Sequence, residues 1–184
     1  YIPYLREDIP IYCSEESKLI MQNFDDTGHD QYLTLKEKFQ IYENKKGEIS
    51  RATGDKVQIP RTIKVFQSNK EFSINSIKVQ PLPVDHSIAG VHAFVLHTSE
   101  GTIGNTADLR FHGRRSDDTE KFVEKCGESD IDVLLCEGTR VDAIPSLTEY
   151  DVETKVADIV NDTKGLVICG YPIRDLDRLL SFYL

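Results

Sequence analysis

The chain reads as an α/β protein, a sheet sandwich flanked by helices in αββα layering. Two patterns predict it. From Thr62 to about Asp108, apolar and polar residues mostly alternate with the period of two that marks half-buried strands. Beyond Asp108, helical periods alternate with short continuous apolar runs, a β-α-β-α order that yields parallel strands. A length of 184 residues holds one domain with a sizeable core, or one domain and a piece of a second.

The elements follow in order. Residues 9–13 read as a short strand after proline punctuation. Ser14 is placed to cap a helix over 17–24, where Leu19, Ile20 and Phe24 fall near helical spacing, and Asp25-Asp26-Thr27-Gly28 stops it. Residues 33–42 fit either state. Residues 43–55, with the turn signal Lys45-Lys46-Gly47, read as a solvated loop. From Thr62 the pairs Ile63/Val65, Phe72/Ile74 and Ile77/Val79 alternate, with turns at Asn69 and Asn75-Ser76. Residues 91–96 and 102–106 flank Ser99-Glu100-Gly101 as a hairpin. A helix over 117–125 capped by Ser116, a buried strand at 131–136, a helix over 149–160, a buried strand at 166–169 and a helix from 175 complete the chain. No internal repeat or low-complexity segment interrupts it. A second α/β domain is expected to begin near Pro145, dividing the chain into 1–144 and 145–184.

Composition narrows the function classes. Hydrophobic residues make up 39% and charged residues 29%, and no apolar run approaches the ~20 residues that span a bilayer. A membrane role is therefore not expected. The formal net charge of -9 argues against sequence-independent nucleic-acid binding by this chain as a whole, because phosphate binding needs clustered cations. Arg110, Arg114 and Arg115 remain candidates for a local basic rim that contacts phosphates, with solvated surface charge as the plainer reading. Cys13, Cys126, Cys136 and Cys169 form no CxxC pair. Cys136 and Cys169 sit in apolar runs and are expected to be buried reduced thiols, which fits a cytoplasmic protein. The chain opens at Tyr1, and its single methionine is Met21. It closes at Leu184 inside an amphipathic run. It reads as an internal piece of a longer protein, with apolar faces that could pair two copies as a homodimer.

The chemistry concentrates in two strings, Pro83-Val84-Asp85-His86-Ser87-Ile88 and Gly104-Asn105-Thr106-Ala107-Asp108. A histidine and an aspartate each follow an apolar run, so both can reach one rim of a sheet. Imidazole and carboxylate are zinc donors, and Asp85 beside His86 could orient the ring. Asp108 at a strand end needs charge compensation, which a metal or a turn of backbone amides can supply. His92 and His97 differ by five and face opposite sides of a regular strand, so structural roles are expected for both. His29 lies in a polar turn. His112 is expected to pack or to face substrate.

These strings, with Leu109-Arg110 following and an interval of 22 residues from His86 to Asp108, resemble the third and fourth motifs of metallo-β-lactamase-fold hydrolases. Leu134-Leu135-Cys136-Glu137-Gly138-Thr139-Arg140, then Thr148-Glu149, Gly165-Leu166-Val167-Ile168-Cys169 and Arg174-Asp175-Leu176-Asp177-Arg178-Leu179, resemble the entrance to the β-CASP domain of ribonuclease J-like nucleases. The resemblance implies a partial αββα metallo-β-lactamase sandwich running into the start of a β-CASP-like domain. It also implies two zinc ions in the intact protein and hydrolysis of RNA or DNA phosphodiesters by a metal-bound hydroxide. His86 would ligate one zinc and Asp108 would bridge both. Glu137 would orient groups or handle protons beside the site, or else be a strand-end glutamate bound to Thr139 or Arg140.

The chain departs from the family in two places. The HxHxDH motif, which supplies most of the metal ligands, is absent, and Ala107 stands where a glycine usually precedes the bridging aspartate. Little or no zinc is therefore expected to bind this piece alone. Two other readings share the fold: hydrolysis of small esters, thioesters or phosphodiesters, and a scaffold with a degenerate metal site.

Overall fold

The computed structural model describes residues 2–28, 32–139 and 147–183. The protein is mixed α/β with three sheets and, among the described residues, four α-helices. It separates into two compact units, Tyr1–Phe66 and Gln67–Leu184. The boundary expected near Pro145 falls in residues 140–146, outside the described residues.

The first unit opens with a 3-10 turn at Ile2–Tyr4, followed by β1 (Ile11–Cys13), α1 (Glu15–Asp26), β2 (Thr34–Glu43), β3 (Ile49–Pro60) and β4 (Ile63–Val65). Ser14 caps α1 as expected, its hydroxyl accepting from the Ser17 amide at 3.2 Å. Asp25 then accepts from the amides of Tyr32, Leu33 and Thr34 at 2.6, 3.0 and 3.1 Å, so the end of the helix fixes where β2 begins. β1 and β4 pair in parallel. β2 and β3 form an antiparallel ribbon, and this corrects the solvated loop expected over 43–55. Only the tip is a turn: the Gly47 amide donates to the Asn44 carbonyl at 2.9 Å, with Gly47 at φ 78°. The charges that suggested a loop lie on an open two-stranded ladder, where both faces tolerate them.

The second unit holds a five-stranded sheet in the order β5-β6-β7-β8-β9. Its strands are β5 (Phe72–Ile74), β6 (Ile77–Pro83), β7 (His92–Thr98), β8 (Gly101–Asn105) and β9 (Val133–Leu135). The expected turns occur, with Asn75 at φ 53° between β5 and β6 and Gly101 at φ 142° opening β8 after the turn from β7. β8 and β9 pair in parallel, and α2 (Ser116–Glu128) makes the crossover between them. Leu82, Val84, Ala93 and Val95 form the core with Phe122 of α2, which is 3% exposed. α3 (Glu149–Asp162) starts at a capping box in which Thr148 and Asp151 bond each other's backbone amides. α4 (Leu176–Tyr183) follows. None of the helices among the described residues is long and apolar enough to cross a membrane.

Three expectations in this unit are corrected. Arg115, not Ser116, is the residue before α2, and it makes no side-chain cap. The strand at 131–136 shrinks to β9, an edge strand whose three residues are 50–54% exposed, since among the described residues nothing packs on that side. Residues 166–169 form no strand, with Leu166 and Ile168 more than 80% exposed. Cys136 and Cys169 are accordingly exposed, and of the four cysteines only Cys13 is buried.

Candidate functional site

The site is built where β6, β8 and β9 end. β6 leads through Val84 into the loop carrying Asp85 and His86. β8 leads into Thr106, Ala107 and Asp108, and β9 leads into Cys136 and Glu137. The Thr106 amide donates to the Leu135 carbonyl at 3.0 Å, and the Glu137 amide donates to Thr106 Oγ1 at 3.1 Å. These bonds carry the pairing of the parallel strands past the sheet and place the two exits side by side. Asp108 and Glu137 line one shallow open cleft of about 470 Å³, formed by residues 105–108 and 134–137.

The His86 loop joins the same rim. The Arg110 amide donates to the Asp85 carbonyl at 2.9 Å, bonding the chain two residues past Asp108 to the residue before His86. His86 is among the neighbours that act on the Glu137 carboxyl. That carboxyl is held below the usual carboxylate range. The first cause is the Thr139 amide, which donates to Glu137 Oε2 at 2.8 Å. The Thr139 hydroxyl, His86 and the Leu109 amide act in the same direction. These contacts favour the ionised carboxylate, which accepts hydrogen bonds from its neighbours. The bond to Thr139 is also the plain structural role foreseen for it. Arg140 lies outside the described residues.

Ala107 adopts φ 50°. This is the left-handed region, where a non-glycine residue costs roughly 1–2 kcal/mol. The strained residue stands immediately before Asp108, at the position where the resembled family carries glycine. The Ala107 amide donates to Asn105 Oδ1 at 2.8 Å, which fixes the turn that presents Asp108.

Behind the rim lies a buried charge network that sequence reasoning missed. The Asp85 side chain is fully buried and ion-pairs with Arg110 Nε at 3.1 Å. It therefore serves Arg110 rather than orienting the His86 ring. Arg110 also reaches Asp177 at 2.6 Å and Glu149 at 3.4 Å. Arg178 binds Glu149 at 2.9 Å, and Arg114 pairs with Glu153. The side chains of Arg110 and Arg114 are only 11% and 12% exposed, so the expected basic rim is corrected. These cations neutralise carboxylates from α3 and α4, because buried charges require partners. The Arg178 guanidinium holds Glu149 below its ordinary value against the effect of burial. Burial pushes the Asp177 carboxyl up despite Arg115 and Arg110, with Asp85 and Asp175 adding to the rise. The available signal was the run of arginines at 110, 114 and 115 facing helices rich in Asp and Glu, but periodicity does not reveal which charges are buried.

His92 and His97 play the structural roles expected of them. His92 is buried, bridging Ser68 Oγ at 2.7 Å and the Gly90 carbonyl at 2.9 Å. His97 faces Thr102 Oγ1 at 3.3 Å. The His112 carbonyl accepts from the first amide of α3 at 3.0 Å. His29 lies outside the described residues.

As metal donors, His86 and Asp108 are of the right chemical type. Among the described residues, however, no three His, Cys, Asp or Glu side chains gather as a metal-binding group. A closed zinc site takes four ligands and an open one three, so the residues described do not complete a centre.

No family model matches the sequence, nor does any curated protein. The chain is similar in structure to the crystal structure of a protein of unknown function from Enterococcus faecalis V583. The TM-score is 0.72 and the identity 23%, over 98% of this chain and 40% of that one. The likeness is one of fold, and the chain spans about 40% of the length of the solved chain it matches.

Proposed function

We propose that this chain forms part of a two-zinc metallo-β-lactamase-fold hydrolase that cleaves RNA or DNA phosphodiesters, with His86 and Asp108 among its ligands. One observation carries the reading. Three separate strand exits deliver His86, Asp108 and Glu137 to one rim, with the first two loops joined by the Arg110–Asp85 backbone bond at 2.9 Å. A strained Ala107 immediately before Asp108 adds support, since backbone strain gathers at functional turns. The resemblance in motif order supplies the reaction class.

Within this reading, His86 and Asp108 hold metal and Glu137 stays ionised to orient a neighbouring proton donor. The remaining donors come from residues beyond these two, in a longer chain that carries this sequence or in a partner. The cleft is open and shallow, which suits a polymer passing across the rim better than an enclosed small ester.

The test uses the complete protein containing this sequence, assayed on labelled single-stranded RNA and DNA and on small thioesters. Asp108→Ala is expected to abolish nucleic-acid cleavage while the circular dichroism spectrum is retained. Undiminished cleavage by that variant refutes the assignment, and thioester turnover without nuclease activity replaces the substrate class.

A further inference from the structure

Asp177 lies in the first turn of α4 with 8% of its side chain exposed, and it uses both carboxylate oxygens. Oδ2 accepts from Arg110 Nη2 at 2.6 Å, and Oδ1 accepts from Arg115 Nη1 at 3.1 Å. Each arginine has a second hold on the site. Arg115 Nη2 donates to the His86 carbonyl at 2.9 Å. Arg110 donates from Nε to the Asp85 carboxylate at 3.1 Å and from its amide to the Asp85 carbonyl at 2.9 Å. One carboxylate on α4 thus anchors two arginines: Arg115, whose guanidinium holds the His86 carbonyl, and Arg110, whose guanidinium holds the Asp85 side chain and whose amide holds the Asp85 carbonyl.

We propose that Asp177 is a positioning residue for the His86–Asp108 pair, acting through Arg115 and Arg110, so that seating of α4 is part of assembling the rim. The inference rests on the reading of His86 and Asp108 as the functional pair. A neighbouring contact supplies the control. Glu153 on α3 pairs with Arg114, which also contacts Ser181 of α4. It joins the same segments, but it touches neither Arg110, Arg115 nor the His86 carbonyl in any described bond. A network that merely holds the helices down would transmit the loss of either carboxylate equally. A positioning network transmits only the loss of Asp177.

The experiment uses the 184-residue chain with isotope-labelled histidine and backbone amides, followed by NMR without metal. Asp177→Asn is expected to displace the His86 ring signals and the Leu109 amide while leaving the His97 ring in place. Glu153→Gln moves neither, and Asp177→Glu restores most of the wild-type positions. Arg115→Lys, at a site 34% exposed, keeps the charge. It cannot span Asp177 and the His86 carbonyl together, so it reproduces the His86 displacement even if Asp177→Asn does not fold. The proposal is overturned if either folded variant leaves the His86 and Leu109 signals at their wild-type positions. It is also overturned if Glu153→Gln moves them as far. The metal-free spectra decide the positioning claim on their own, and the reading of His86 and Asp108 as metal donors is decided separately, by nucleic-acid cleavage in the complete protein and its Asp108→Ala variant.

Discussion

Gly113→Ala is expected to break the ion pair at the centre of the buried network. Gly113 is buried and has no left-handed torsion, so backbone conformation does not require glycine there. Close approach does. A Cβ at this position would overlap Asp85 Oδ2 and Arg110 Nε and Nη2, all inside the 3.0 Å that real Cβ contacts respect. Neither partner can swing into water, because the Asp85 side chain is fully buried and Arg110 is also held by Asp177 and Glu149. Breaking a buried pair costs about 3–5 kcal/mol. For a chain of this size that corresponds to a fall in melting temperature of roughly 6–20 °C. The assay is urea denaturation followed by circular dichroism, alongside a thermal scan. A Gly113→Ala variant within about 0.5 kcal/mol of wild type would show that the pair tolerates separation, and the network would lose its claim to hold the rim.

Four further outcomes are expected. Ala107→Gly relieves the left-handed strain and raises stability by up to about 1 kcal/mol, partly offset by the looser unfolded chain; a lower urea midpoint contradicts this. Glu149 has its folded value below its ordinary 4.5. Its stabilisation is therefore complete above pH 4.5 and lost as the pH falls through the lower folded value. Glu149→Gln should accordingly be destabilised at neutral pH and converge on wild type in acid, as read from urea midpoints across pH; a constant deficit refutes the linkage. Phe122→Ala removes the helix's contribution to the core and should cost about 3–5 kcal/mol, measured in the same way. Equilibrium dialysis of the 184-residue chain against zinc should find well under two tightly held ions per chain, and two would mean that the ligand set is complete without further residues.

Local patterning explains what was legible. The Ser14 cap, the Asn75 turn, the hairpin around Gly101 and the β8–α2–β9 crossover were all readable because each depends on a few neighbouring residues. Residues 33–42 fit either state, and the part of β3 up to Asp55 reads as a loop because a charged, largely exposed strand has a loop's composition. β9 and residues 166–169 were read as buried because apolar runs usually are. Burial, though, needs something to pack against, and among the described residues nothing covers them. At the site, His86 and Asp108 are named by type and position after apolar runs, and Glu137 by the resemblance to the β-CASP entrance.

The sequence by itself determined the strand and helix periods, the two strings that carry the imidazole and the carboxylate, and the glutamate after β9. Tertiary structure alone decided that these residues meet on one rim. It alone decided that Arg110 and Arg114 turn inward and that Asp85 serves an arginine. The reason is range. Helical and strand periods are set by adjacent residues, whereas a buried charge is neutralised by whatever partner the fold brings to it. For Arg110 that partner is Asp177, 67 residues further along the chain.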